Sequence, residues 1–401
     1  MMDNEISQKD KQVPSSRIVS VDAYRGFVMV LMASEGLEIS KVAKHHPDSP
    51  IWQFLSYQVS HVSWTGCALW DMIQPSFSFL VGVAAVYSLA NRKSQGQSYS
   101  VMLKHAVVRS IALILLGVFL RSDHKPQTYF TFEDTLSQIG LGYTFLFLLA
   151  DKKPKVQAIW ASIILFGYWL AFAVTPLPPS GFDYSSVGVK PDFAHLQGFA
   201  AHWDKNTNFA AHFDQWFLNL FPREKPFAYN GGGYLTLSFV PTLATMILGL
   251  IAANVLRKEA DPKHKIKELV IYGFGGIVLG VVLDRLGICP VVKRIWTPSW
   301  VLFSGGWCFL ILAAFYSVID VYKKDNWSKP LLVVGANSIA MYVMAHFLPE
   351  VISSNLKTNL GQTFFERISG EFAPITEATA VLLCLWLICL WMYRRKIFIK
   401  I

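Results

Sequence analysis

The 401-residue chain is 53% hydrophobic and 16% charged, against about 25% charged in soluble domains. Its net charge of +9 sits between apolar runs rather than on a globular face, so no nucleic-acid partner is expected. Five scattered cysteines show neither CxxC nor His/Cys spacing, which argues against a disulfide framework and against a metal site.

The apolar residues recur in runs of about 18, each long enough to cross a bilayer core of about 30 Å. These runs are too continuous for barrel strands, which alternate, and lipid leaves no other backbone solution than the helix. The expected fold class is therefore all-α: a transmembrane bundle of about ten spans. Residues 1–20 are polar and read as a disordered cytoplasmic tail, without the apolar region of a cleaved signal. Residues 21–401 read as one membrane domain, with spans at 22–39, 71–89, 104–120, 135–150, 156–175, 234–256, 269–286, 300–321, 331–348 and 378–391. Lys and Arg crowd the tail and the even-numbered loops, as at Arg92, Lys93, Lys152, Lys153, Lys263, Lys265, Lys323 and Lys324. By the positive-inside rule this places both termini in the cytoplasm. The large loops at 40–70 and 176–233 then lie outside. The second is rich in Trp, Phe, Asn, Asp and Gly; it is too long for a mere connector and reads as a lid or substrate platform.

The polar residues within or beside the apolar runs follow in chain order. Asp22 and Arg25 stand one helical turn apart and can pair at the inner boundary. Glu35 and Glu38 lie near the outer end of the same run, where a carboxylate is costly unless it faces a polar cavity. His61 lies on the outer side beside Trp64 and ten residues before Asp71; imidazole suits proton transfer near neutrality. Pro75 is expected to kink the second span. Ser338, Tyr342 and His346, at i, i+4 and i+8, form one polar stripe with Asn337 beside it. That stripe serves either as helix–helix glue or as a cavity lining. No Walker loop, GxSxG elbow or HExxH is present.

Several stretches, in order, resemble the heparan-α-glucosaminide N-acetyltransferase family within the transmembrane acyltransferases. They are RIVSVDAYRG from Arg17, HVSWTG from His61, DMIQPSF from Asp71, Arg109-Ser110, LSQIGLGY from Leu136, GANSIAMYVMAH from Gly335 and RRKIFIKI from Arg394. The resemblance implies an enzyme that moves acetyl from cytosolic acetyl-CoA, its co-substrate, to the amine of an amino sugar or glycan beyond the membrane. His61 matches the family's reactive histidine and is expected to act as base or acetyl carrier, aided by Glu35 or Asp71. Arg25 and Arg109 are expected at the CoA phosphates, Asn337 or Ser338 at the thioester oxygen, and Trp64, Gln138, Tyr342 and His346 at the acceptor. Animal members carry an asparagine near the outer end of the first helix, where this chain has Glu35. The expected setting is the plasma (inner) membrane, with lipids and a second copy of the chain as further partners. The rival reading is a transporter or flippase of a glycan or lipid-linked substrate without acyl chemistry.

Overall fold

The computed structural model describes residues 18–399. The expected tail therefore lies almost wholly outside the described residues, as do Arg17, Lys400 and Ile401. Among the described residues every regular element is a helix, apart from an isolated antiparallel bridge between Thr65 and Val292. The principal helices are α1 (Val19–Ala33), α2 (Ile73–Ser94), α3 (Tyr99–Arg121), α4 (Thr135–Ala150), α5 (Pro154–Ala173), α6 (Phe209–Phe217), α7 (Phe239–Arg257), α8 (Pro262–Arg285), α9 (Pro298–Phe315), α10 (Lys329–Gly335), α11 (Ser338–Phe347) and α12 (Ala373–Arg394).

Among the described residues seven helical stretches are long and apolar enough to cross a membrane, and α10 with α11, bent by 71°, makes an eighth if the pair is taken as one span. The expected count of about ten is not confirmed. The shortfall lies in α1, of 15 residues, and α4, of 16 residues, which rise only about 23 Å at 1.5 Å per residue. The expected ninth span is thus a broken pair. The break at Ala336–Asn337 interrupts the ladder just before the polar stripe. Pro75 falls in the first turn of α2, where a missing N–H would have had no helical partner.

Helices α2 and α7 are mostly buried, whereas α5, α8 and α12 turn most of their length outward. Phe166, Phe274, Val278 and Leu383 are exposed there, as suits a lipid-facing rim. The central pair is joined backbone to backbone: a β-carbon at Gly82 would lie 1.9 Å from the Met246 carbonyl oxygen, and one at Gly249 2.0 Å from that of Phe79. Small residues supply such contacts in membranes, where lipid removes the hydrophobic drive for helix association. The long 176–233 loop is packed rather than loose. Trp203 and Phe172 are fully buried in a cluster with Trp64, Cys289 and Ile295, so the loop forms a fixed cap over one end of the bundle.

Candidate active site

The described structure brings His61 and Asp71 together at the capped end. His61 Nδ1 lies 2.8 Å from Asp71 Oδ1. A 3₁₀ turn, Leu69–Met72, leads into α2 and carries Asp71, whose Oδ2 accepts from the Val62 and Ala68 amides at 3.3 and 3.1 Å. The carboxylate therefore closes the 62–71 loop with one oxygen and offers the other to the imidazole. Gly66, at φ 104°, takes the left-handed turn inside that loop.

Sequence reasoning missed the third member of the cluster. Lys293 Nζ lies 3.2 Å from Asp71 Oδ1 and 3.1 Å from His61 Nδ1. Burial lowers the proton affinity of Lys293, and the Asp71 carboxylate opposes that effect. The segment between α8 and α9 is held firmly. Gly66 donates to Val291 O at 3.0 Å, Val291 donates to Asp284 Oδ1 at 2.8 Å, and Thr297 Oγ1 accepts from the Val292 amide at 3.0 Å. Next to Lys293, Arg294 donates to Gly232 O at 2.6 Å and to Val62 O at 3.2 Å, which ties the cap to the histidine loop.

His61 and Lys293 open into a cavity of about 190 Å³ whose other walls include Arg121, Glu133, Tyr234 and Tyr342. Arg121 lies 3.7 Å from Glu133 and 3.5 Å from Asp134, and Tyr342 donates to Asp134 Oδ2 at 3.1 Å. Burial raises the Glu133 carboxyl above its ordinary range, against the pull of Arg121. An acid–base wall, with Arg121 44% exposed and Glu133 15% exposed, thus faces the imidazole across a space large enough for a small polar group.

Other expected site residues lie elsewhere. Glu35 is not beside His61. Helix α1 stops at Ala33, and four left-handed residues, Glu35, Gly36, Leu37 and Glu38, swing the chain away. Its carboxylate lines a separate cleft of about 670 Å³ with Glu350, Glu366 and Glu377. Arg25 pairs with Asp22 at 2.7 Å and donates to Gly335 O at 2.8 Å, where α1 crosses α10. Asn337 donates to Ile397 O and accepts from the Ile399 amide, both at 3.0 Å, so it fastens the C-terminal segment; Ser338 follows it, half-buried. Trp64 is buried, donating to Trp203 O at 3.1 Å. Gln138 is buried too and donates to Phe132 O at 2.6 Å and Thr236 O at 3.2 Å, bracing the ends of two loops. His346 meets Leu120 O at 3.0 Å, so of the stripe Tyr342 alone lines the His61 cavity while His346 is helix glue.

Arg109 lies at the opposite end of the same helices. Its cavity of about 280 Å³ is lined also by Arg92, His105 and Tyr143. Arg109 donates to Tyr143 OH at 3.2 Å and stacks 4.6 Å over the ring, while its buried Nε has no hydrogen-bond partner. Such an orphaned donor in a cationic cavity fits an anionic oxygen. The two cavities share α2, α3 and α4. From Phe77 to Ala85 on α2 they stand about 12 Å apart at 1.5 Å per residue, separated by buried Leu80, Leu113 and Ile139. No cluster of His, Cys, Asp and Glu suited to a metal occurs among the described residues.

No protein-family model matches the chain. It is 25% identical over 426 aligned residues to the heparan-α-glucosaminide N-acetyltransferase of Homo sapiens and 26% identical over 425 to that of Mus musculus. Each alignment covers 96% of the chain, which spans about 60% of the length of these relatives. This multi-pass helical membrane protein is a distant relative of the heparan-α-glucosaminide N-acetyltransferases.

Proposed function

We propose that the protein is a membrane acetyltransferase that carries acetyl from cytosolic acetyl-CoA to the amine of an amino sugar or glycan on the outer side of the plasma membrane. The observation that carries this reading is the pair of polar cavities at opposite ends of α2, α3 and α4. Neither CoA phosphates nor a charged amino sugar cross lipid, and two half-sites on shared helices bring the reactants together without transport of either.

Arg109, with Arg92, holds the CoA phosphates in the inner cavity, since guanidinium stays charged and binds phosphate oxygens in pairs. The thioester arm then follows the helices toward His61. With Nδ1–H donated to Asp71, the imidazole keeps its lone pair on Nε2. In direct transfer, that nitrogen takes a proton from the amine as the amine attacks the thioester carbon; the C–S bond breaks and the proton passes to the CoA sulfur. In the carrier route, Nε2 itself attacks, CoA leaves, and the amine displaces the imidazole. Both routes give one amide and one CoA thiol. Asp71, rather than Glu35, is the carboxylate partner in either. Glu133 and Tyr342, on the facing wall, receive the hydroxyls and amine of the acceptor.

Membranes containing the protein, given radiolabelled acetyl-CoA and free amino sugars, should yield N-acetylated sugar. No labelled product from any amino sugar or glycan amine would overturn the reading. Labelled protein formed without acceptor, and lost in His61→Ala, would select the carrier route.

A further inference from the structure

We propose that Lys293 is a positioning residue whose ammonium keeps the His61 imidazole neutral and reactive at Nε2. Its importance for turnover rests on the acetyl-transfer reading; its effect on the imidazole does not.

A histidine beside a carboxylate is drawn toward its cationic form, because opposite charge stabilises the imidazolium. An imidazolium has no lone pair and can neither accept a proton nor attack a carbonyl. His61 and Asp71 alone, 2.8 Å apart, would carry that liability. Lys293 removes it by geometry. Its Nζ and the imidazole Nδ1 converge on the same oxygen, Asp71 Oδ1, the other oxygen being held by two backbone amides. The ammonium thus offsets the carboxylate's charge and stands 3.1 Å from the ring nitrogen, where a second positive charge is opposed by direct repulsion. The Lys293 side chain is 5% exposed and that of Asp71 is 1% exposed, while the His61 ring is 40% exposed, so water reaches the imidazole from its open side but not the two charges that act on it.

The arrangement also selects the tautomer. With one proton on the ring, Nδ1–H donates to Asp71 while Lys293 donates to the same carboxylate, and the Nε2 lone pair is left for the cavity. The remaining charged or titratable groups around the cluster are Arg294 and Cys67 beside Lys293, and Arg121, Glu133, Tyr234 and Tyr342 on the cavity walls. Of these cations and acids, Lys293 is the one in hydrogen-bond range of both His61 and Asp71 among the described residues.

Diethyl pyrocarbonate, which acylates neutral imidazole, reads the charge state without any need for enzymatic turnover. Its reaction with His61 is followed by mass spectrometry of the His61 peptide from pH 5 to pH 9, in the wild-type protein, Lys293→Arg and Lys293→Met. The pH of half-maximal reactivity should rise by about 1–3 units in Lys293→Met, the size of a close charge effect, and Lys293→Arg should follow the wild type. The acid limb of kcat/KM for acetyl transfer should move with it. If Lys293→Met does not fold, as judged by its melting transition, Lys293→Gln carries the same expectation. A Lys293→Met or Lys293→Gln profile that superimposes on the wild type overturns the proposal. A shifted reactivity profile in a protein that transfers no acetyl would uphold the role of Lys293 and overturn the acetyl-transfer reading instead.

Discussion

Asp71 and Glu35 are both carboxylates beside cavities, and the contrast between them shows what makes a site. Asp71 is buried, with every oxygen engaged: two amides on one, an imidazole and an ammonium on the other. Glu35 lines a cleft more than three times larger, about 670 Å³ against about 190 Å³, in the company of further carboxylates. Lys41 and Lys357 share that cleft and pair with Glu38 at 2.9 Å and Glu377 at 2.7 Å, so its charges are matched locally and none converges with a histidine and a lysine on one carboxylate. Opposite charges converging on one buried carboxylate hold their geometry and can poise a proton. Volume alone would point to Glu35, whereas the function proposed above rests on Asp71.

The largest expected effect comes from His61→Ala, which should lower transfer by about 10²–10⁴-fold, the range for a positioned general base, in a protein that melts normally. Asp71→Asn should follow, at about 10–10²-fold, because it leaves Lys293 buried without its counter-charge and gives Nδ1 a weaker acceptor; steady-state kinetics on purified protein measures both. Arg109→Ala should raise KM for acetyl-CoA by about 10-fold with a smaller change in kcat, since one charge-assisted hydrogen bond is worth about 1.5–3 kcal/mol. Glu35→Gln should change transfer by less than about 3-fold. A larger loss there than in Asp71→Asn would reverse the comparison.

The cap adds a pH test. On α6, Asp214 is buried and accepts from the Thr236 amide at 2.9 Å, and burial pushes its carboxyl up to about 7. A carboxyl raised above its unfolded value favours the fold while protonated. Its contribution is therefore complete below about pH 4 and is lost as pH rises through about 7. Amide exchange in residues 209–236 should quicken between pH 5 and pH 8 beyond the intrinsic rise, and Asp214→Asn should flatten that excess.

The helical class and most of the spans were legible because long apolar runs admit one backbone solution in lipid. The count was less legible, since α1 and α4 are only 15 and 16 residues long and α10–α11 bends where composition stays hydrophobic. The His61–Asp71 pair was within reach because ten residues of loop can bring two side chains to one helix start. Lys293 was not, being 232 residues from His61 in a stretch that reads as an ordinary cationic loop. The placing of Glu35 in the other cleft was not legible, because the left-handed turn that puts it there has only Gly36 as a signal. Trp64 and Gln138 had the right neighbours in sequence, yet the Trp64 indole N–H and the Gln138 amide nitrogen donate to backbone carbonyls, while the buried Gln138 Oε1 has no hydrogen-bond partner.

The most direct test of the central claim uses sealed vesicles with the Arg109 face outward. Labelled acetyl-CoA is added outside and glucosamine is enclosed within. Labelled N-acetylglucosamine should accumulate inside with wild-type protein and not with His61→Ala, while CoA stays outside. Product formed only when acetyl-CoA and glucosamine share one compartment, or formed equally by His61→Ala, would contradict the account.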